Sequence, residues 1–214
     1  MRRFLLLTFA LLTLVGCQSA YYSAMEKAGL HKRDILVDRV EDARDSQQEA
    51  KEQFKDALDR YRSVVQVKGG ELEERYEALN SEFEASENSA REVRDRIEAV
   101  EDVAEALFKE WKQELDEYSN ASLKAASQRN LERTQKDYRE LLQRMKAAEK
   151  RIDPVLDVLR DQVLFLKHNL NAHAIGALQS EYRTLEGNVD QLLAEMQRAI
   201  DEADVFIRQL QRTQ

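Results

Sequence analysis

The sequence predicts an all-α, elongated antiparallel helical bundle, and three observations carry that prediction. Apolar residues recur at alternating steps of four and three along most of the chain from Leu36 to Leu210. A repeat of that kind, held over many heptads, marks helices that wrap around partners. Helix breakers are scarce, with one proline and six glycines in 214 residues, while charged residues make up 35%; this is the composition of long helices and coiled coils. Strand signals are missing, because neither sustained apolar–polar alternation nor an Asn-Gly or Asp-Gly hairpin turn occurs.

The first element is a leader. Arg2 and Arg3 form a positive start, Phe4 to Val15 an apolar run of 12 residues, and Gly16 a small residue at a cleavage position. These are the parts of an export signal, and the run is shorter than the roughly 20 residues a membrane-spanning helix needs. Leu14-Val15-Gly16-Cys17 resembles the lipobox of bacterial lipoproteins. The resemblance implies that the Cys17 thiol receives a diacylglyceryl group, that cleavage between Gly16 and Cys17 removes the leader, and that the freed amine is acylated. Gln18 departs from the aspartate that, in the enterobacterial sorting rule, favours retention in the inner membrane. That departure implies the inner leaflet of the outer membrane, facing the periplasm. Cys17 is the one cysteine, so no disulfide can form within the chain and packing must supply the stability. The organisation expected is therefore a signal peptide over 1–16, a lipidated tether over 17–29 and a helical domain over 30–214.

Within that domain the first seam runs Leu36, Val40, Ala43, Gln47, Ala50, Phe54, Ala57, Tyr61, Val64, and Gly69-Gly70 interrupts it. A second runs Leu72, Tyr76, Leu79, Phe83, Ser86, Ala90, Val93, Ile97, Val100, Ala104, Leu107, Trp111, with Tyr118 one heptad on. Ser119-Asn120-Ala121-Ser122 supplies capping side chains for a new helix. The third seam follows as Leu131, Thr134, Tyr138, Leu141, Met145, Ala148, Ile152, Val155, Leu159, Leu166, and the last as Leu178, Tyr182, Leu185, Val189, Leu192, Met196, Ala199, Ala203, Phe206, Leu210. Asn169-Leu170-Asn171 reads as a third turn, with Asn171 as N-cap. The helical segments are then 30–68, 71–118, 121–168 and 171–212, and their short connections favour an up-down-up-down bundle. If 121–212 is instead one bent helix, the product is a three-helix coiled-coil rod. Pro154 lacks an amide proton, so a kink or a fresh helix start is expected there.

Charge suggests which helices are neighbours. Segment 71–118 has 17 acidic and 6 basic residues, and segment 121–168 has 11 basic and 7 acidic. Complementary charges beside an apolar seam help choose partner and orientation, although each exposed pair contributes only about 0–1 kcal/mol. Loss of Arg2 and Arg3 with the leader leaves 31 basic residues against 41 acidic ones, a net of −10. With no basic patch interleaved with aromatics, nucleic acid is not an expected ligand.

The chain offers little chemistry. Of the three histidines, His168 and His173 are five apart and so point about 140° apart around a helix, unlike the i, i+4 pair of a helical zinc site. No glutamate precedes either by three, as a di-iron bundle requires. Glycine-rich phosphate loops, a Gly-x-Ser-x-Gly elbow and Cys-His pairs do not occur. No catalytic residue, cofactor or metal ligand is therefore assigned. Trp111 reads as core rather than a ligand platform, Tyr21-Tyr22 as a candidate for the membrane interface, and Leu164-Phe165-Leu166 with Leu170 and Ile175 as a packed bundle end in preference to a partner-binding patch.

The mature chain resembles an uncharacterised family of Gram-negative, helical coiled-coil lipoproteins. The resemblance is carried by Leu14–Cys17, by Leu164-Phe165-Leu166-Lys167-His168-Asn169-Leu170-Asn171-Ala172 and by the late acidic helix; it implies class and location and no activity. The expected function is a non-enzymatic, lipid-anchored periplasmic protein that presents coiled-coil faces to envelope proteins, with room for a homo-oligomer. The alternative is a bundle that holds a hydrophobic or cationic small molecule, its cavity lined by Gln47, Ser86 and Thr134.

Overall fold

The computed structural model describes residues 31–66, 72–169 and 172–212. Four helices occupy nearly all of them: α1 Lys32–Gln66, α2 Leu72–Glu114, α3 Ala121–His168 and α4 Ala172–Arg212, with a short 3-10 turn Leu115–Glu117 closing α2. The described residues form an all-α bundle of four helices, so the three-helix rod does not form. Helix α3 stops at His168 because Asn169 answers its last carbonyls: the Asn169 amide donates to the Leu166 carbonyl at 3.2 Å and its Nδ2 to the Phe165 carbonyl at 2.9 Å. Such bonds satisfy acceptors that a helix end otherwise orphans. The expected turn residues Gly69-Gly70 and the expected Asn171 cap lie outside the described residues.

Asn120 caps α3 as expected. Its backbone is extended, and its Oδ1 accepts from the Ser122 and Leu123 amides at 2.9 and 3.2 Å. Pro154 gives a different outcome from the expected fresh start, since α3 continues through it unbroken from Ala121 to His168. The proline ring is exposed while Ile152, Val155, Leu156 and Leu159 are buried. Tertiary packing on the opposite face holds the helix across the one backbone bond that proline removes.

Helix α1 packs on α2 and α4, and α3 packs on the same two, so consecutive helices are neighbours around a closed ring. Side-chain pairs fix the register. Lys32 Nζ meets Glu110 Oε1 at 2.8 Å near the start of α1, and Gln53 Nε2 donates to Glu82 at 2.9 Å further along. Tyr61 donates to the Leu178 carbonyl at 3.0 Å, tying the end of α1 to the start of α4. The four seams form one core: Leu36, Val40, Phe54, Tyr61, Leu79, Ile97, Leu141, Met145, Ile152, Leu192 and Phe206 are among its buried members. Helices α1 and α2 share the most extensive packing, with small buried residues on both seams: Ala43, Ala50 and Ala57 every seventh residue on α1, and Ser86 and Ala90 on α2. The α2–α3 pairing is the loosest. It is also where ion pairs cross most often among the described residues: Arg94 to Glu149 and Asp153, Lys146 to Glu101, Arg160 to Glu87 and Lys124 to Asp116. The acidic helix does lie beside the basic one, with charge marking a seam that apolar packing alone holds less tightly.

Candidate functional site

The residues expected to carry the anchor, Gly16 and Cys17, lie outside the described residues, as do Gln18, Tyr21 and Tyr22. What the bundle defines is the geometry around the place where the chain enters it. The His31 carbonyl accepts the Asp34 and Ile35 amides at 2.9 and 3.1 Å and so starts α1. A guanidinium nitrogen of Arg33 donates to the Leu210 carbonyl, which puts the last turn of α4 beside the first turn of α1. Entry and exit of the chain therefore share one end of the bundle.

At that end α2 and α3 run on. Beyond Glu110, the partner of Lys32, four α-helical residues and the three of the 3-10 turn carry α2 about 12 Å further at 1.5 and 2.0 Å per residue. Trp111 sits at the base of this overhang, half-buried, its Nε1–H donating to Ser127 Oγ on α3 at 2.9 Å. The indole thus packs against the core and clips the two helices together. Tyr118, placed by the heptad step in the second seam, is instead exposed at 41%. The reason is positional: the described lengths of α1 and α4 end short of that level, so no described helix lies opposite it.

The three polar seam residues do not meet. Gln47 is fully buried, and neither its Nε2 nor its Oε1 has a hydrogen-bond partner. Ser86 is fully buried and donates to the Glu82 carbonyl at 2.7 Å within its own helix. Thr134 is half-buried and lines a notch of about 300 Å³ with Arg133, Asp137, Phe206 and Leu210, at the chain-entry end. The three positions lie at different levels along the bundle axis, and of them Thr134 alone lines the notch.

The apolar stretch near the end of α3 divides. Leu166 is buried, whereas Leu164 and Phe165 are 49% and 37% exposed; Ile175 packs against the core, and Leu170 lies outside the described residues. Residues 164 and 165 fall on the outer side of a helix whose inner stripe is Leu159, Val163 and Leu166, so sequence apolarity alone overstated the packing here.

Electrostatics are those of a solvated surface. An open groove of about 710 Å³ between α1 and α2 gathers Arg39, Arg91 and Arg96. Carboxylates answer two of them: Asp42 lies 3.0 Å from Arg39 and 3.5 Å from Arg96, and Glu92 3.0 Å from Arg96. The bond that Arg96 donates to Glu92, with the nearby charge of Asp42, raises the affinity of Arg96 for its proton. Burial pushes the Tyr138 phenol up to about 12, helped by Glu101 and Glu105, and raises Tyr61 further. Both phenols are packing groups that stay protonated at neutral pH. Among the described residues no three His, Cys, Asp or Glu side chains gather in a way that could hold a metal ion. His168 is the exposed last residue of α3, and His173 lies in the first turn of α4. No described helix is long and apolar enough to cross a membrane.

A family model described as "Protein of unknown function (DUF2959)" matches residues 21–210. The chain belongs to that family. The DUF2959 match spans all four helices, so the bundle is the family's domain. No curated protein matches the chain at a significant level.

Proposed function

We propose that this DUF2959 protein is a non-enzymatic lipoprotein of the envelope, held through Cys17 in the inner leaflet of the outer membrane and presenting its helical faces to periplasmic protein partners. The observation that carries this reading is Leu14-Val15-Gly16-Cys17 directly behind the apolar run Phe4–Val15 and the arginine pair. Two or more acyl chains on one residue suffice for stable attachment, since each buried methylene contributes about 0.8 kcal/mol. The bundle geometry supports it: the chain enters and leaves at one end, so the opposite end projects away from the anchor. At 1.5 Å per residue, the 43 residues of α2 reach about 65 Å into the periplasm. Long faces rich in paired charges suit recognition of other helices.

Metabolic labelling with palmitate tests the anchor. Wild-type protein takes up the label and fractionates with membranes, and Cys17→Ser does neither; equal incorporation by the two would defeat the proposal. Crosslinkers placed on the outward faces of α2 and α3 in cells would then identify the partners.

A second reading, a bundle that holds a hydrophobic or cationic small molecule, draws on the unpartnered Gln47 amide. Native mass spectrometry of gently extracted protein decides it, because a stoichiometric ligand adds a fixed mass.

A further inference from the structure

We propose that the α2–α3 turn is a second membrane contact, which rests on the lipid surface that holds the Cys17 anchor and stands the bundle upright. The inference rests on the lipoprotein reading above. Its first support is position. The start of α1 is pinned to Glu110 by Lys32, and the end of α4 to the start of α1 by Arg33. The overhang of about 12 Å beyond that level makes residues 115–123 the outermost described part of the bundle on the anchored side.

Its second support is surface chemistry. Tyr118 and Leu123 flank the Asn120 cap and are 41% and 56% exposed. The other large apolar side chains exposed among the described residues are Leu164 and Phe165 near the opposite end and Val205 on the side. Amphipathic rings such as that of tyrosine are favoured at the headgroup level, and lysine stems lie along apolar surface with the charge in water. Charge does not forbid it: residues 115–123 carry only Asp116 and Glu117, and Lys124 just beyond them meets Asp116 at 3.1 Å.

Its third support is the tether. Residues 18–31 span at most about 50 Å when extended, so the anchor permits contact without compelling it. Once the lipid is inserted, docking of the tip is an intramolecular event at high effective concentration. A tenfold preference for the upright state then needs only about 1.4 kcal/mol, within reach of one tyrosine and one leucine.

The test uses full-length lipidated protein in vesicles of phosphatidylethanolamine with phosphatidylglycerol as the minor component. The lipid consumes the Cys17 thiol, so Tyr118→Cys, Leu123→Cys and, at the opposite end, Ser63→Cys each offer one site for an environment-sensitive fluorophore. Flotation reports the anchor, and quenching by headgroup-level nitroxide lipids reports the tip. The expected result is flotation of all three, with labels at 118 and 123 quenched and the label at 63 not. Adding Leu123→Asp to the position-118 variant should lower the ratio of membrane-contacting to free tips about tenfold, the factor equivalent to about 1.4 kcal/mol. Flotation with labels at 118 and 123 quenched no more than at 63 overturns the tip contact and leaves the anchor standing. Failure to float overturns both. A blue shift that persists in lipid-free detergent, with no lipid quenching, assigns the tip to a second copy of the chain and also overturns the proposal.

Discussion

Gln47 provides the sharpest test of the packing. Its side chain is fully buried on the α1 seam between Ala43 and Ala50, and both polar atoms of its amide lack a partner. An unsatisfied buried polar group costs about 1–3 kcal/mol. Methionine has the same unbranched length and no hydrogen bonds to satisfy, and swaps that conserve shape introduce little strain. Gln47→Met should therefore stabilise the bundle by about 1–3 kcal/mol. For a domain of this size each kcal/mol moves the midpoint by about 2–4 °C, so Tm should rise by about 2–12 °C. Thermal and urea unfolding followed by circular dichroism measure the change. Gln47→Ala is the control: it also removes the amide but leaves a void, whose cost rises with the volume left behind, so it should be less stable than Gln47→Met. A methionine variant less stable than wild type would refute the reasoning, because it would show that the amide has a satisfied partner such as an enclosed water.

Proline in a helix interior costs about 3 kcal/mol relative to alanine, so Pro154→Ala, on the exposed face of α3, should raise stability by about 1–3 kcal/mol in urea denaturation; no gain would mean that the helix is built around the proline. Ala50→Leu places a large side chain in the most extensive helix pairing, where residue 50 is fully buried, and should cost about 1–3 kcal/mol by overpacking, read as a lower urea midpoint. Alkali should weaken the fold in a defined window. The native Tyr138 phenol holds its proton up to about 12 against 10.0 unfolded, so its contribution is complete below pH 10.0 and is lost as pH rises through about 12. Spectrophotometric titration should show phenol that ionises late in native protein and early in denaturant, and coincident curves would contradict it.

Much of the fold was legible along the chain because its cause is local. Heptad spacing decides which side of a helix is apolar whatever it packs against, and nearly all seam positions from Leu36 to Leu210 are buried or half-buried. The break at Asn120 was readable because a side chain three bonds long closes its own cap. Tyr118, Leu164 and Phe165 misled for one reason. Their apolar character is local, but their exposure depends on where other helices end and on which face of α3 points inward. The overhang has a faint signal in hindsight: pairing Lys32 with Glu110 leaves the second seam longer than the first at that end.

By itself the sequence determined the helical class, the apolar stripes, the cap at Asn120, the charge contrast between α2 and α3, and the lipobox-like Leu14–Cys17, since each is written in spacing and side-chain chemistry over a few residues. Tertiary structure alone decided that there are four helices rather than three, that α3 runs through Pro154, that Gln47 is enclosed without a partner, and that the α2–α3 turn stands clear of its neighbours. Those outcomes depend on what lies across the bundle from each residue, and that is set by contacts between segments far apart in the chain, where burial on one face can outweigh a local penalty on the other.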